Sequence, residues 1–79
     1  MTISKAISTR ILNLCKEKNI SINKLANVSF LTQSTLQSIV IGDSNNPKLL
    51  TISRVCYGLN ITLEEFFADN IFNDIDLNI

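Results

Sequence analysis

Apolar residues recur along most of the chain at helical spacing. Ile7, Ile11, Leu14 and Cys15 fall on one stripe, and Lys16, Glu17 and Lys18 end the run, which predicts an amphipathic helix from about residue 4 to 18. Leu36, Ile39 and Val40 form another stripe within "TQSTLQSIVIG" (32–42). Leu49, Ile52, Val55, Cys56 and Leu59 form a third. The helix starts share one grammar. Ser21 can cap a helix while Ile20 before it and Leu25 after it close a hydrophobic staple; Thr32 does the same with Leu31 and Leu36, and Thr62 with Ile61 and Phe66. Glu65 completes a Thr-x-x-Glu capping box at the last of these. Gly42 suits a left-handed helix end, Asp43 to Asn46 form a polar loop, Pro47 fixes the chain before a new helix, and Asn60 stops it.

These boundaries predict an all-α domain of five short helices over residues 1–69, with no strand before residue 70. In the tail, 70–79, Ile75, Leu77 and Ile79 alternate with Asp74, Asp76 and Asn78. That is the period-two pattern of a half-buried strand, which would pair across a homodimer, supply an apolar contact, or fray.

A chain of 79 residues supports one small core but not a core plus a roomy catalytic cleft. Its 46% hydrophobic and 18% charged composition is that of a folded domain. Cys15 and Cys56 lie within apolar helical patterns with no CxxC spacing, and the chain has no histidine, which argues against a metal site or a Cys/His nucleophile. They read as buried hydrophobes of a reducing cytosol. No nucleophile with a base and no phosphate-binding loop occurs either, so neither enzymatic activity nor a cofactor is expected. Lys5 and Arg10 interrupt the N-terminus before any signal-type apolar region, and no stretch approaches the roughly 18 apolar residues of a membrane span. The expectation is a soluble, cytoplasmic protein.

The zero net charge hides a division. Residues 1–54 hold all seven Lys and Arg against Glu17 and Asp43, a net +5, while residues 55–79 hold five acids and no base, a net −5. Such asymmetry is compatible with a basic surface for a polyanion at one end.

About three residues separate the second helix, ending near Ser29, from the Thr32 cap of the third, so the two must cross steeply at a tight turn. That is the geometry of a helix-turn-helix unit, whose second helix can enter the DNA major groove. At these residues the sequence resembles a known family. "LANVSFLTQSTLQSIVIG" (25–42) followed by "NPKLLTISRVCYGLNITLEEFF" (46–67) is similar to the Cro and phage-repressor type of helix-turn-helix proteins, the XRE family. The shared pattern is Leu-Ala, a turn, Ser-Thr-Leu, a helix ended by Gly, a Pro, and a late Leu-Asn-Val-Ser/Thr-Leu-x-Glu-Leu/Phe-Phe segment. The resemblance spans roughly residues 5–68.

It implies a compact five-helix domain that binds double-stranded DNA, commonly as a homodimer, with residues 33–40 as the recognition helix. With Leu36, Ile39 and Val40 turned to the core, Ser34, Gln37, Ser38 and Ile41 face outward and Gln33 leads the first turn. On the DNA reading, Gln33, Ser34, Gln37 and Ser38 reach base edges. Phosphates would be met by Ser21, Asn23 and Lys24 at the start of the second helix, Thr32 at the start of the third, and Ser44, Asn45, Asn46 and Lys48 in the following loop. The other function class is a protein-interaction module on the same fold, an antitoxin-like or accessory partner.

Several positions depart from the family pattern. Phe30 stands where Gly is usual in the turn, a position that tends to need φ > 0. Ile22 replaces a Gln that contacts phosphate. Cys15 and Val40 stand where many members pair an Arg with a Glu, and are expected to touch as an apolar substitute for that ion pair. Asp43 occupies a loop that is basic in several relatives, which predicts modest affinity per domain and a need for two-site binding by a dimer.

Overall fold

A computed structural model describes residues 1–42 and 46–77 of the chain. Its elements are α1 (Ile3–Lys18), α2 (Ile22–Val28), α3 (Gln33–Val40), α4 (Leu49–Leu59) and α5 (Leu63–Phe67), followed by a 3-10 turn, Asn70–Phe72. The all-helical architecture expected from the hydrophobic spacing is present, and the described residues contain no strand.

Each predicted cap forms. The Ser21 hydroxyl accepts the Lys24 N–H, Thr32 accepts that of Thr35, and Thr62 accepts that of Glu65 while the Glu65 carboxylate returns to the Thr62 N–H at 2.9 Å. The helix ends share a device that the starts conceal. Asn19, Phe30 and Asn60 all take left-handed backbone, at φ 54°, 58° and 59°. The next residue then reaches back to a carbonyl five positions earlier: Ile20 to Cys15 at 2.9 Å, Leu31 to Ala26 at 3.0 Å and Ile61 to Cys56 at 3.0 Å. This is the Schellman closure, which satisfies carbonyls that a helix end leaves open. Ile20, Leu31 and Ile61 are therefore the last anchor of one helix and the staple residue of the next, and all three pack on the core. The tripeptides Asn19-Ile20-Ser21, Phe30-Leu31-Thr32 and Asn60-Ile61-Thr62 are one stop-and-start module used three times.

The core unites Ile7, Ile11, Leu14 and Cys15 of α1, Leu25 and Ala26 of α2, Leu36 and Ile39 of α3, Ile52, Val55, Cys56 and Leu59 of α4, and Phe66 of α5. Cys15 is buried in this cluster and Val40 packs against it, so apolar groups occupy both positions of the missing ion pair. Ile22, where a polar residue is usual, also packs on the core. Gly58 lets α4 approach α2: a Cβ there would collide with the hydroxyl of Ser29, which is fully buried and has no hydrogen-bond partner among the described residues.

The charge division is partly internal. Arg10 donates from Nε to the Phe66 carbonyl (2.8 Å), from one terminal nitrogen to the Glu65 carbonyl (2.9 Å) and from the other to Asp69 (3.2 Å). It thereby closes the C-terminal end of α5, where carbonyls lack partners and a cation is favoured. Asp69 uses its other oxygen to cap the 3-10 turn at the Ile71 N–H. That turn brings Phe72 against Phe66 and Phe67, at ring separations of 6.0 and 4.9 Å.

The strand suggested by the tail's alternation does not form among the described residues. One isolated parallel bridge, Thr2 with Asp76, ties the tail to its own N-terminus, with the Asp76 N–H donating to the Met1 carbonyl at 2.9 Å. Two strands need several successive ladder bonds to persist, and the start of α1 at Ile3 removes the partner after a single pairing.

Candidate nucleic-acid interface

The outward face of α3 is set by what the helix buries. Leu36 and Ile39 are buried and Val40 is half-buried, which leaves Gln33, Ser34, Thr35 and Gln37 exposed and Ser38 half-buried. Ile41, just past the helix, is 64% exposed, an isolated apolar group beside this amide and hydroxyl surface. No charged side chain lies within α3. The helix starts on Thr32, whose hydroxyl accepts the Thr35 N–H at 3.1 Å and donates to the Thr35 hydroxyl at 2.8 Å. It ends before Gly42, which takes φ 85° as anticipated for a left-handed stop.

The turn ahead of α3 supplies the geometry that presents it. Phe30 holds the positive φ that its place in the Schellman closure demands, and the residue is 72% exposed, its ring lying 5.8 Å from the ring of Tyr57. The strain is thus accepted rather than avoided by a rebuilt turn.

At the far end of the helix, Ser8 of α1 is only 2% exposed and donates its hydroxyl to the Val40 carbonyl at 2.6 Å. Neither this bond nor the Arg10 clamp was signalled by periodicity. A serine on the buried stripe of α1, one position from Ile7, was the available sign of the first.

Besides Thr32, exposed at the α3 cap, the described residues expected to contact phosphate fall into two groups. Ser21, Asn23 and Lys24 are exposed at the start of α2, where the Ser21 oxygen is engaged as the cap. Asn46 and Lys48 are exposed ahead of α4 and share a shallow cleft with Thr35 and Ser38 of α3 and Thr51 of α4. That cleft joins a residue expected to read bases with residues expected to meet phosphate, and it adds Thr35 and Thr51, which sequence spacing did not single out. Ser44 and Asn45, together with Asp43, lie outside the described residues. Lys48 occupies the N-cap position of α4 without capping it, so its side chain carries no internal hydrogen bond there.

The remaining chemistry is sparse. Burial pushes the Cys15 and Cys56 thiols up from their ordinary pKa, with the nearby Arg10 guanidinium opposing the shift at Cys56. No group of His, Cys, Asp or Glu among the described residues could hold a metal ion. No helix among them is long and apolar enough to cross a membrane.

Comparison with known proteins agrees with this geometry. No curated protein matches the chain. The crystal structure of the prophage Lp1 protein 11 shares the fold with a TM-score of 0.82 at 31% identity, over 95% of this chain and 99% of that one. Residues 10–70, which run from the Arg10 clamp through all of α2 to α5, match the Cro/C1-type HTH DNA-binding domain. The α2–turn–α3 unit, the polar face it presents and the helices that brace it place this chain in the Cro/C1-type helix-turn-helix family.

Proposed function

We propose that the protein is a sequence-specific transcriptional repressor that lays α3 in the major groove of double-stranded DNA as half of a homodimer. The observation that carries this reading is the uncharged, hydrogen-bonding outward face of α3. Amides and hydroxyls discriminate, since Gln33 and Gln37 can pair with adenine N6 and N7, Ser34 and Ser38 can donate or accept, and Ile41 can meet a thymine methyl. Lys24 and Lys48, with Ser21, Asn23, Thr32, Ser44, Asn45 and Asn46, supply the sequence-independent phosphate contacts. Repression needs occupancy of the operator and no chemistry.

Two sets of variants separate these roles. Gln33→Ala and Gln37→Ala change the sequence preference recovered by operator selection, each good base contact being worth about 1–3 kcal/mol. A uniform loss of affinity with unchanged preference removes them from base reading. Lys24→Ala and Lys48→Ala weaken binding to all sequences and lower the slope of log affinity against log salt by about 0.9 each. An unchanged slope excludes the contact.

A homodimer follows from the light charge on this surface, because two linked sites multiply modest affinities. Leu77, 71% exposed at the end of the described tail, offers apolar surface to a second copy. Truncation after Asn70 with a mass measurement in solution tests the tail's part in it; an unchanged dimer excludes that part. The exposed Phe30–Tyr57 pair favours a second reading, a protein-interaction module on the same fold, whose signature is partner binding without DNA selection.

A further inference from the structure

We propose that Ser8 is a positioning residue for DNA recognition: its hydroxyl, bonded to the Val40 carbonyl, sets where α3 lies along and around its own axis, and so which side chains meet base edges. This rests on the reading of α3 as the recognition helix.

Other contacts also hold α3. Its buried side chains are Leu36 and Ile39. Apolar contact is non-directional, so these two, with the half-buried Val40 against the core, fix how deeply the helix sits but tolerate small slides and rotations. A hydrogen bond is directional and short-ranged, and it does not. The last carbonyls of a helix have no partner within it. In α3, the Gln37 and Ile39 carbonyls are met by the Ile41 and Gly42 N–H groups, at 3.0 and 3.2 Å. The Val40 carbonyl is met by Ser8 across the α1–α3 contact, at 2.6 Å and 32 residues away in sequence.

Serine is a poor choice for the buried stripe of a helix on propensity alone, and an interior serine commonly bonds back to its own helix. Here its hydroxyl spans to another. The bond falls at the C-terminal end of α3, immediately before the exposed Ile41 and one turn from Gln37. Releasing it frees the end of the helix that carries those two side chains, while the Thr32 cap continues to hold the other end.

The test compares Ser8→Ala with Thr2→Ala. Thr2→Ala removes the cap of α1, where the Thr2 hydroxyl accepts the Lys5 N–H, a bond made within α1 rather than to α3. For wild type and both variants, affinity for a duplex selected by the wild type and for a scrambled duplex is measured at one salt concentration, alongside the thermal midpoint. Ser8→Ala should fold, because alanine is the better helix former. It should lower the ratio of selected to scrambled affinity roughly tenfold, the size of one weakened base contact, while scrambled binding stays unchanged. Thr2→Ala should keep the ratio even where its thermal midpoint falls as far. A Ser8→Ala ratio within about twofold of wild type, or an equal loss in Thr2→Ala, overturns the assignment, the latter by reducing Ser8 to a stability role. A wild type that selects no duplex removes the DNA reading itself, and with it the assignment. That failure shows in the wild-type protein alone, before either variant is compared.

Discussion

Replacing Arg10 with Met keeps the length of the stem and removes the charge and all donors. In the wild type the guanidinium, with a side chain only 13% exposed, closes the end of α5 through the Phe66 and Glu65 carbonyls and Asp69. The losses are unequal. The Phe66 carbonyl loses a partly buried, charge-assisted partner, a cost of about 1–3 kcal/mol. The Glu65 carbonyl keeps the Ala68 N–H at 3.3 Å and loses less. Asp69, a third exposed, loses an ion pair worth at most about 1 kcal/mol after solvent screening. The sum is about 3 kcal/mol, a large share of the stability of so small a domain. At roughly 4–8 °C per kcal/mol for a domain of this size, the midpoint of thermal unfolding should fall on the order of 15 °C. The same variant should leave the salt dependence of DNA binding unchanged, because Arg10 is committed inside the fold despite belonging to the basic half of the chain. A fall under about 3 °C would refute the clamp, and a flatter salt slope would return Arg10 to the phosphate-facing set.

Further outcomes follow from individual contacts. Phe30→Asn should raise the thermal midpoint by a few degrees, since asparagine already fills the matching left-handed slots at Asn19 and Asn60 and relieves about 1 kcal/mol of backbone strain. Phe30→Gly should change it less, the relief being offset by the entropy of glycine in the unfolded chain. Marked destabilisation by both would show that the ring's packing on Tyr57 outweighs the strain. Gly58→Ala should cost about 1–3 kcal/mol in chemical denaturation by forcing α4 off Ser29, and Ser29→Ala in the same chain should recover part of it; a neutral Gly58→Ala would mean that this contact yields freely. The raised pKa of Cys15 and Cys56 means that folding favours the neutral thiols. Their contribution to stability is full below the ordinary thiol pKa of about 9 and is lost as pH rises above it, so alkaline destabilisation should shrink in the Cys15→Ala, Cys56→Ala variant; equal pH profiles would deny it.

Much of the fold is legible because short helices must announce their ends. Each of α2, α3 and α5 has a hydroxyl cap flanked by apolar residues at staple positions, features written in adjacent residues, and each cap formed as read. The Schellman closures were legible in principle, since Asn19 and Asn60 precede an isoleucine and a hydroxyl residue, and Phe30 stands in the same slot. Residue type hid the third, as phenylalanine does not suggest left-handed backbone. The Arg10 clamp and the Ser8 bond were illegible for a different reason. They join residues 56 and 32 apart in sequence, and a charge or a hydroxyl on a helix carries no mark of which distant carbonyl it will face. The tail's alternation records which residues prefer burial and cannot by itself supply a neighbouring strand, so within the chain only the single Thr2–Asp76 bridge forms among the described residues. On α3, burial of Leu36 and Ile39 determined the outward face in advance, whereas the cleft linking Ser38 to Lys48 and Thr51 depends on how α4 docks.

The central claim is that α3 reads DNA sequence. Selection by the wild-type protein from a pool of random duplexes, carried out at two salt concentrations, tests it most directly. The expected outcome is enrichment of an inverted-repeat site whose halves lie about one helical turn apart, with the sequence preference retained at the higher salt while overall affinity falls. Recovery of unenriched sequence at both concentrations, or binding that vanishes with salt and leaves no preference, would contradict it.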